Sequence, residues 1–208
     1  GKSIDSKEYD RVLLENNVVM FKALVYKKNL KKYKNKIVYH AHNELGKTLG
    51  YEKYLNNSKK VIGVSDFITN YFKNFVEKSN VELQTIHNTI DEQIFTRSLT
   101  REEIDAMKMR LGINNEYPII LFTGRISEEK GIVELLKALS YLKTNQYNLL
   151  IVGKSFFGTQ IKDKFEEKLK KISKKVKGNV IFTGLVKYED MYKYYKISDI
   201  CVLPSVWN

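Results

Sequence analysis

The chain has 208 residues, of which 43% are hydrophobic, and a formal net charge of +12. This composition predicts a globular protein of one or two domains and favours polyanionic or phosphorylated partners, namely nucleic acid, an anionic membrane surface or nucleotides. The single cysteine, Cys201, excludes a disulfide framework, and no apolar run approaches the roughly 20 residues that cross a bilayer. We therefore expect a cytoplasmic protein, with Cys201 as a small core residue.

The chain begins with a predicted strand at 11–14, a predicted helix at 18–33 and a second strand at 37–43. Residues 22–36 contain seven lysines and no acidic residue. One interpretation is a solvated helix end, where cations are favoured by the helix dipole. The other is a basic surface for anionic lipid. The sequence favours neither.

The second strand carries two histidines on one face, His40 and His42, and His42 falls at its carboxyl end. A histidine in such a place is more often a core or capping group than a catalyst. Two histidines without a nearby cysteine do not predict a zinc site, because zinc needs at least three protein ligands. At the end of a strand, however, His42 and Asn43 can face a cleft.

Further elements of the first half are predicted helices at 44–57 and 67–77 and predicted strands at 60–64 and 81–87. Ser65 and Asp66 are expected to cap the helix at 67–77, whose aromatic residues lie at the helical spacing of a buried face. The turn-rich residues 88–91 follow. We place a domain boundary here, which gives domains at 1–93 and 94–208.

In the second half, Thr100 and Glu103 form a predicted capping box, and Gly112 ends that helix. The expected strands lie at 119–122, 148–152, 179–183 and 199–203, and the expected helices at 132–139, 160–177 and 188–196. Strands that alternate with helices predict an α/β fold with parallel sheets and right-handed crossovers.

The strongest local signal lies at 118–131, where an apolar strand ends at a loop that carries Arg125 and Lys130 and leads into a helix. Open α/β sheets bind ligands at the carboxyl ends of their strands. Two cations beside a helix N-terminus indicate a phosphate or diphosphate site. The alternative is a solvated loop in which Glu128 and Glu129 pair with the cations, which is the usual case for so short a motif.

The series of motifs resembles the retaining glycosyltransferases of the GT-B fold, in particular family 4, from about Arg11 to the last residue. No single motif is decisive, but the order and spacing of the set agree. The matching pieces are His42-Asn43 after a strand, residues 61–65, residues 86–91, residues 122–125 with Lys130 and Gly131, residues 150–153, residues 181–186 and residues 202–205.

The resemblance implies two Rossmann-like domains that face a cleft, with the acceptor on the N-terminal domain and a nucleotide-sugar on the C-terminal one. Arg125 and Lys130 match the pair that holds the donor diphosphate and neutralises its charge as the sugar leaves, so that no metal or other cofactor is needed. Val186 matches a position whose backbone lies along the nucleobase. Gly124 and Gly153 match loops that let the backbone approach the donor.

On the acceptor side, the resemblance places His42 near the transferred sugar, in a positioning or proton-handling role, and places Asn43 and Ser65 nearby. Bacterial relatives commonly build capsule, lipopolysaccharide or wall glycans. The acceptor is therefore expected to be a glycan or glycolipid, handled at the inner face of the cell membrane.

The resemblance also implies that both domains are incomplete in this chain. The first Rossmann unit of the family should precede Arg11, and the family's Glu-x7-Glu segment should follow Asn208. We therefore expect an internal portion that does not transfer sugar alone and that tends to self-associate through uncovered strand edges. Thr89 departs from the glycine that is common at that position.

Two other classes remain open. A nucleic-acid-binding module would explain the positive net charge. Such a module should carry cations and aromatic residues interleaved on one face, whereas the aromatic residues here are spaced as on the buried face of a helix. A dinucleotide-dependent oxidoreductase would explain the alternating strands and helices, but the Gly-x-Gly-x-x-Gly motif is absent. We therefore expect no nucleic-acid partner.

Overall fold

The computed structural model describes residues 8–26, 28–77, 80–154 and 164–206. The chain divides into two compact units, Gly1–Ile90 and Asp91–Asn208. The division falls within the turn-rich stretch, slightly before the boundary expected after residue 93.

Within its described residues, the first unit contains a four-stranded parallel sheet in which strands that follow one another in the chain are neighbours, in the order β1-β2-β3-β4. The strands are Val12–Glu15 (β1), Ile37–Ala41 (β2), Lys60–Gly63 (β3) and Glu82–Thr85 (β4). The connections contain the helices Phe21–Tyr26 (α1), Asn29–Lys32 (α2) and Asp66–Phe72 (α3), and 3₁₀ helices at Val18–Met20 and Glu52–Asn57.

One face of this first sheet carries the core. In β2, Ile37, Tyr39 and Ala41 are buried, whereas Val38 and His40 on the opposite face are only half-buried. Helices α1 and α3 pack on the buried face. Side chains on the other face, including His40, therefore stay within reach of solvent.

Three helices predicted in the first unit are wrong in extent. The helix expected at 67–77 spans Asp66–Phe72. The helix expected at 18–33 is interrupted because Lys28 has a left-handed backbone (φ 55°), which cannot lie inside a right-handed helix. In the segment 44–57, only Glu52–Asn57 is helical, as a 3₁₀ helix. The preceding Leu49 and Gly50 both have positive φ, and glycine lowers helix stability in this stretch.

Within its described residues, the second unit contains a four-stranded parallel sheet in the order β7-β6-β5-β8. Its strands are Ile119–Thr123 (β5), Asn148–Val152 (β6), Asn179–Gly184 (β7) and Ile200–Val202 (β8). Its helices are Glu92–Phe95 (α4), Arg101–Leu111 (α5), Ile132–Ser140 (α6), Lys164–Ser173 (α7) and Met191–Ile197 (α8). The chain moves outward from β5 to β7 and then returns to the far side of β5. The point where the strand order reverses therefore lies between β5 and β8.

Helices cover both faces of this second sheet. Helices α6 and α7 pack on the face that carries Phe122 and Leu149. Helices α5 and α8 pack on the face that carries Leu121 and Leu150. Every residue of the inner strand β6 is consequently buried, including the polar Asn148, and residues 149–152 form the apolar run expected of such a strand.

The predicted helix caps are confirmed. Glu103 N–H donates to Thr100 Oγ1 at 3.2 Å and Thr100 N–H donates to a Glu103 carboxylate oxygen at 2.8 Å, which completes the capping box. Gly112 ends α5 with a left-handed φ of 67°. Ser65 Oγ accepts the Ile68 N–H at the start of α3.

Two burial predictions are wrong. Cys201 is exposed, because β8 lies at the edge of the described sheet. Phe67 is 68% exposed, because it lies in the first turn of α3 on the side away from the core. Part of the helix expected at 160–177 lies outside the described residues. Its middle part is helical and forms α7.

The fold is therefore α/β with two parallel sheets, as the sequence predicts. Among the residues that the structure describes, no helix has both the length and the apolar character that crossing a bilayer requires.

Candidate functional site

The loops after β5 and β8 contact each other where the strand order of the second sheet reverses. Val206 N–H donates to the Glu129 carbonyl at 3.0 Å. A side chain on Gly131 would collide with the Pro204 carbonyl, and Gly131 has φ 67°, so only glycine fits there. This close packing places the loop 124–131 where open α/β sheets bind ligands.

Strands β5 and β6 also end at closely packed backbone. Gly124 N–H donates to the Val152 carbonyl at 3.0 Å. A Cβ atom on Gly153, whose φ is 152°, would collide with the Gly124 carbonyl oxygen. Glycine at position 153 therefore lets the two strand ends pack this closely, whereas the space beside the Cα atom of Gly124 is open.

Arg125 lies in this loop and contacts Glu129, with Nη2 to Oε1 at 3.5 Å. The Ser127 hydroxyl, the Glu129 backbone N–H and the cations Arg125 and Lys130 together lower the pKa of Glu129. The carboxylate is thus ionised at neutral pH. The pair is solvent-exposed and therefore weak, so an anion of higher charge can compete with Glu129 for Arg125.

The other loop acid, Glu128, does not pair with the loop cations in the described contacts. Its Oε1 lies 3.5 Å from Lys168 Nζ on α7. The pairing of acids with cations within the loop, which the solvated-loop interpretation expects, thus occurs between Arg125 and Glu129. Glu128 instead contacts a lysine outside the loop.

Two adjoining cavities open at the carboxyl edge of the second sheet. The smaller, of about 180 Å³, is lined by Gly124, Arg125, Gly153 and Val186 among its residues. The larger, of about 400 Å³, shares Gly153 and has apolar walls that include Ile126, Leu169, Phe182 and Leu185. Four of the five predicted donor residues are thus together, and Lys130 lies in the same loop without lining either cavity. A cation beside an apolar pocket suits an anionic ligand with a flat ring.

A second set of predicted residues meets at the carboxyl edge of the first sheet. Glu15 Oε2 lies 3.1 Å from His40 Nδ1 and 3.2 Å from His42 Nε2. Asn16 Oδ1 accepts the backbone N–H groups of His42 at 2.8 Å and Asn43 at 3.0 Å. The end of β1 therefore fixes both the ring of His42 and the backbone that carries it.

The sequence analysis missed Glu15 and Asn16. The signal that could have found them is that β1 and β2 are consecutive strands of a parallel sheet, whose carboxyl ends meet. The argument against a metal site also counted only the two histidines, whereas Glu15 supplies a third group.

Ser65 has a structural contact in addition to its cap, since its carbonyl accepts the Thr69 hydroxyl at 3.0 Å. In the part of the chain that the structure describes, no hydrogen bond joins Ser65 to His42 or Asn43. The structure therefore places Ser65 at the same sheet edge but not in the histidine cluster.

The family model of the glycosyl transferases group 1 matches residues 103–208. The lipopolysaccharide 1,2-N-acetylglucosaminetransferase of Salmonella typhimurium is 25% identical over 173 residues, which cover 82% of this chain and 42% of that protein.

Two solved structures show the same fold. A glycosyltransferase from Rickettsia africae has a TM-score of 0.77 and 22% identity, over 98% of this chain and 53% of the other. Anabaena Alr3699/HepE in complex with UDP-glucose has a TM-score of 0.73 and 19% identity, over 98% of this chain and 56% of the other. The chain thus spans about half the length of each of these three proteins.

Proposed function

Because the chain belongs to the glycosyl transferases group 1 family, we propose that its protein transfers a sugar from a nucleotide-sugar to an acceptor. The observation that carries this proposal is the loop 124–131. This loop carries a cation and borders a cavity at the carboxyl ends of β5 and β6, inside the segment that the family model matches.

Arg125 and Lys130 bind the donor diphosphate in this proposal. A guanidinium forms two parallel hydrogen bonds to phosphate oxygens, and its fixed charge stabilises the diphosphate as the bond to the sugar breaks. These two cations supply the charge, so we propose that transfer needs no divalent ion or other cofactor.

The nucleobase and the diphosphate occupy the two adjoining cavities. The apolar walls around Leu185 and Phe182 suit a flat ring, and the backbone at Val186 and Gly153 lies beside it. The neighbour Alr3699/HepE binds UDP-glucose on the same fold, which supports a nucleotide-sugar as the ligand class. We also propose that the sugar is transferred with retention of configuration, which the resemblance of the motif series to family 4 supports.

The acceptor lies beside His42 and Asn43, with Ser65 further along the same edge. Glu15 and Asn16 hold His42 in place, as positioning or proton handling requires. The relative from Salmonella typhimurium is named for lipopolysaccharide, which supports a glycan or glycolipid acceptor.

We also propose that the protein acts at the inner face of the cell membrane. Lys28, Lys31 and Lys32 are exposed, and the charge around them is positive. Clustered lysines attract the anionic lipids of that surface.

Calorimetric titration of the purified chain with UDP, GDP and duplex DNA at rising salt tests the ligand class. We expect saturable binding of a nucleoside diphosphate that Arg125→Ala weakens. Tight DNA binding that falls steeply with salt, without nucleoside diphosphate binding, would contradict the proposal and favour a nucleic-acid-binding module.

A further inference from the structure

Glu15, His40 and His42 bring three potential metal-ligand atoms to one point. These atoms, one from each side chain, all lie within 4.8 Å of one another. The rings of His40 and His42 are 4.4 Å apart at their centroids and tilted by 57°. His40 faces Glu15 Oε2 with Nδ1, and His42 faces it with Nε2.

The two distances from Glu15 to the histidines fit neighbouring ligands of one metal ion, and the ligand atoms of His40 and His42 lie within 4.8 Å of each other. Zinc binds nitrogen and oxygen ligands at about 2.0–2.2 Å in a tetrahedral arrangement, which places neighbouring ligand atoms about 3.3 Å apart. Glu15 Oε2 lies 3.1 Å from His40 Nδ1 and 3.2 Å from His42 Nε2. An ion can therefore enter with small side-chain shifts and take the place of the hydrogens in these contacts.

The cluster is held by backbone structure. Glu15 and His40 are register partners in the pairing of β1 with β2. Asn16 N–H donates to the His40 carbonyl at 2.7 Å, and Asn16 Oδ1 fixes the backbone of His42. Ligands on strands with such support lose little freedom when an ion binds.

The site is also accessible. The side chains of His40, His42 and Glu15 are 24%, 40% and 49% exposed. An ion can enter from solvent and keep a water molecule as a further ligand, which is the arrangement of open zinc sites with two histidines and one glutamate.

We propose that Glu15, His40 and His42 form a binding site for a divalent transition-metal ion, with Zn²⁺ as the best fit. Two neutral imidazoles and one carboxylate suit Zn²⁺ better than Mg²⁺ or Ca²⁺, which prefer oxygen ligands. The proposed donor chemistry does not require this ion, because Arg125 and Lys130 supply the positive charge there.

The test is calorimetric titration of the tag-free chain with Zn²⁺ and, separately, with Mg²⁺. We expect one Zn²⁺ per chain and no saturable binding of Mg²⁺. Loss of an outer-shell partner typically lowers metal affinity about 10–100-fold. Glu15→Gln, His40→Ala and His42→Ala each remove a direct ligand and should therefore weaken Zn²⁺ binding about tenfold or more. Glu15→Gln keeps the size of the side chain, and circular dichroism confirms that each variant is folded.

The third histidine of the chain, His87, provides the matched control. His87→Ala should bind Zn²⁺ as the unchanged chain does. Co²⁺ adds a measurement on the unchanged chain, since its visible absorption strengthens when protein ligands replace octahedral water. Absence of saturable Zn²⁺ binding, absence of this Co²⁺ signal, or equal weakening by His87→Ala would overturn the proposal.

Discussion

Asp199 and Ile119 exchange two hydrogen bonds at the start of the pairing between β8 and β5. Ile119 N–H donates to Asp199 Oδ2 at 2.7 Å, and Asp199 N–H donates to the Ile119 carbonyl at 3.0 Å. Ile119 is only 1% exposed, so its N–H depends on this carboxylate for a partner. The contact attaches β8 to the strand that leads into the proposed donor loop.

Asp199→Ala should therefore lower the free energy of unfolding by about 1–3 kcal/mol, because it leaves the buried Ile119 N–H without an acceptor. Urea unfolding measures this change. Asp199→Asn keeps an acceptor oxygen and should retain most of the stability. Equal losses in both variants would show that the carboxylate acts through its charge and not as the acceptor for Ile119.

Arg125→Ala and Lys130→Ala should each weaken nucleoside diphosphate binding about ten- to a hundredfold. Each substitution removes charge-assisted hydrogen bonds worth about 1.5–3 kcal/mol. Calorimetry with UDP measures the change, and Lys143→Ala, at an exposed lysine of the same unit, is the matched control. If neither variant differs from that control, Arg125 and Lys130 belong to a solvated loop.

The contact between Asp190 and Lys193 should make stability depend on pH at both extremes. Lys193 Nζ donates to Asp190 Oδ1 at 2.7 Å, which lowers the pKa of Asp190 from 3.8 and raises the pKa of Lys193 from 10.5. The stabilisation from Asp190 is present above its unfolded pKa and lost as pH falls through the folded pKa. The stabilisation from Lys193 is present below its unfolded pKa and lost as pH rises through the folded pKa.

Asp190→Asn should accordingly be less stable than the unchanged chain near neutral pH, and the difference should vanish in strong acid. Urea unfolding across pH measures both curves. Lys193→Met should show the same convergence in acid. A constant difference at all pH values would contradict the ion-pair explanation.

Reversing the charge of Lys28, Lys31 and Lys32 to glutamate should release the protein from anionic lipid. We expect the unchanged chain to sediment with vesicles that contain phosphatidylglycerol and not with pure phosphatidylcholine vesicles, because each lysine near such a surface contributes about 1 kcal/mol. Lys27 belongs to the same predicted basic segment but lies outside the described residues.

A triple reversal at exposed lysines of the second unit is the matched control for this experiment. The chosen positions are Lys137, Lys143 and Lys174. If both triple variants sediment as the unchanged chain does, the lysines of the first unit are only a solvated helix end.

Patterns that depend on neighbours in the chain were predicted well. The apolar residues of β6 predicted a buried strand, and the structure shows β6 buried on both faces. The spacing of Thr100 and Glu103 predicted a capping box, and both of its hydrogen bonds are present. Both signals are local, because a strand or a cap is decided by residues a few positions apart. The break in the predicted helix at Lys28 is also a local feature. It was not predicted, because lysine is not a residue type that favours a left-handed backbone.

Features that depend on distant parts of the chain were not predicted. Glu15 and His42 are 27 positions apart in the chain. Their contact could be predicted only with knowledge of the register in which β1 pairs with β2. Cys201 lies in an apolar run and is nevertheless exposed, because burial depends on what covers a strand as well as on its composition. The loop 124–131 could be proposed as a site from the sequence because its residues are close together there, whereas the histidine cluster joins two strands.

The strand order of the second sheet also has a consequence for the time course of folding. In the first sheet each strand pairs with the next one in the chain, whereas β5 pairs with β8 through a contact that spans 80 positions. Closing a longer loop costs more entropy, and contacts distant in sequence slow folding. We therefore expect β8 to dock after β6 and β7, so that the junction of the β5 and β8 loops is among the last parts of the second unit to form.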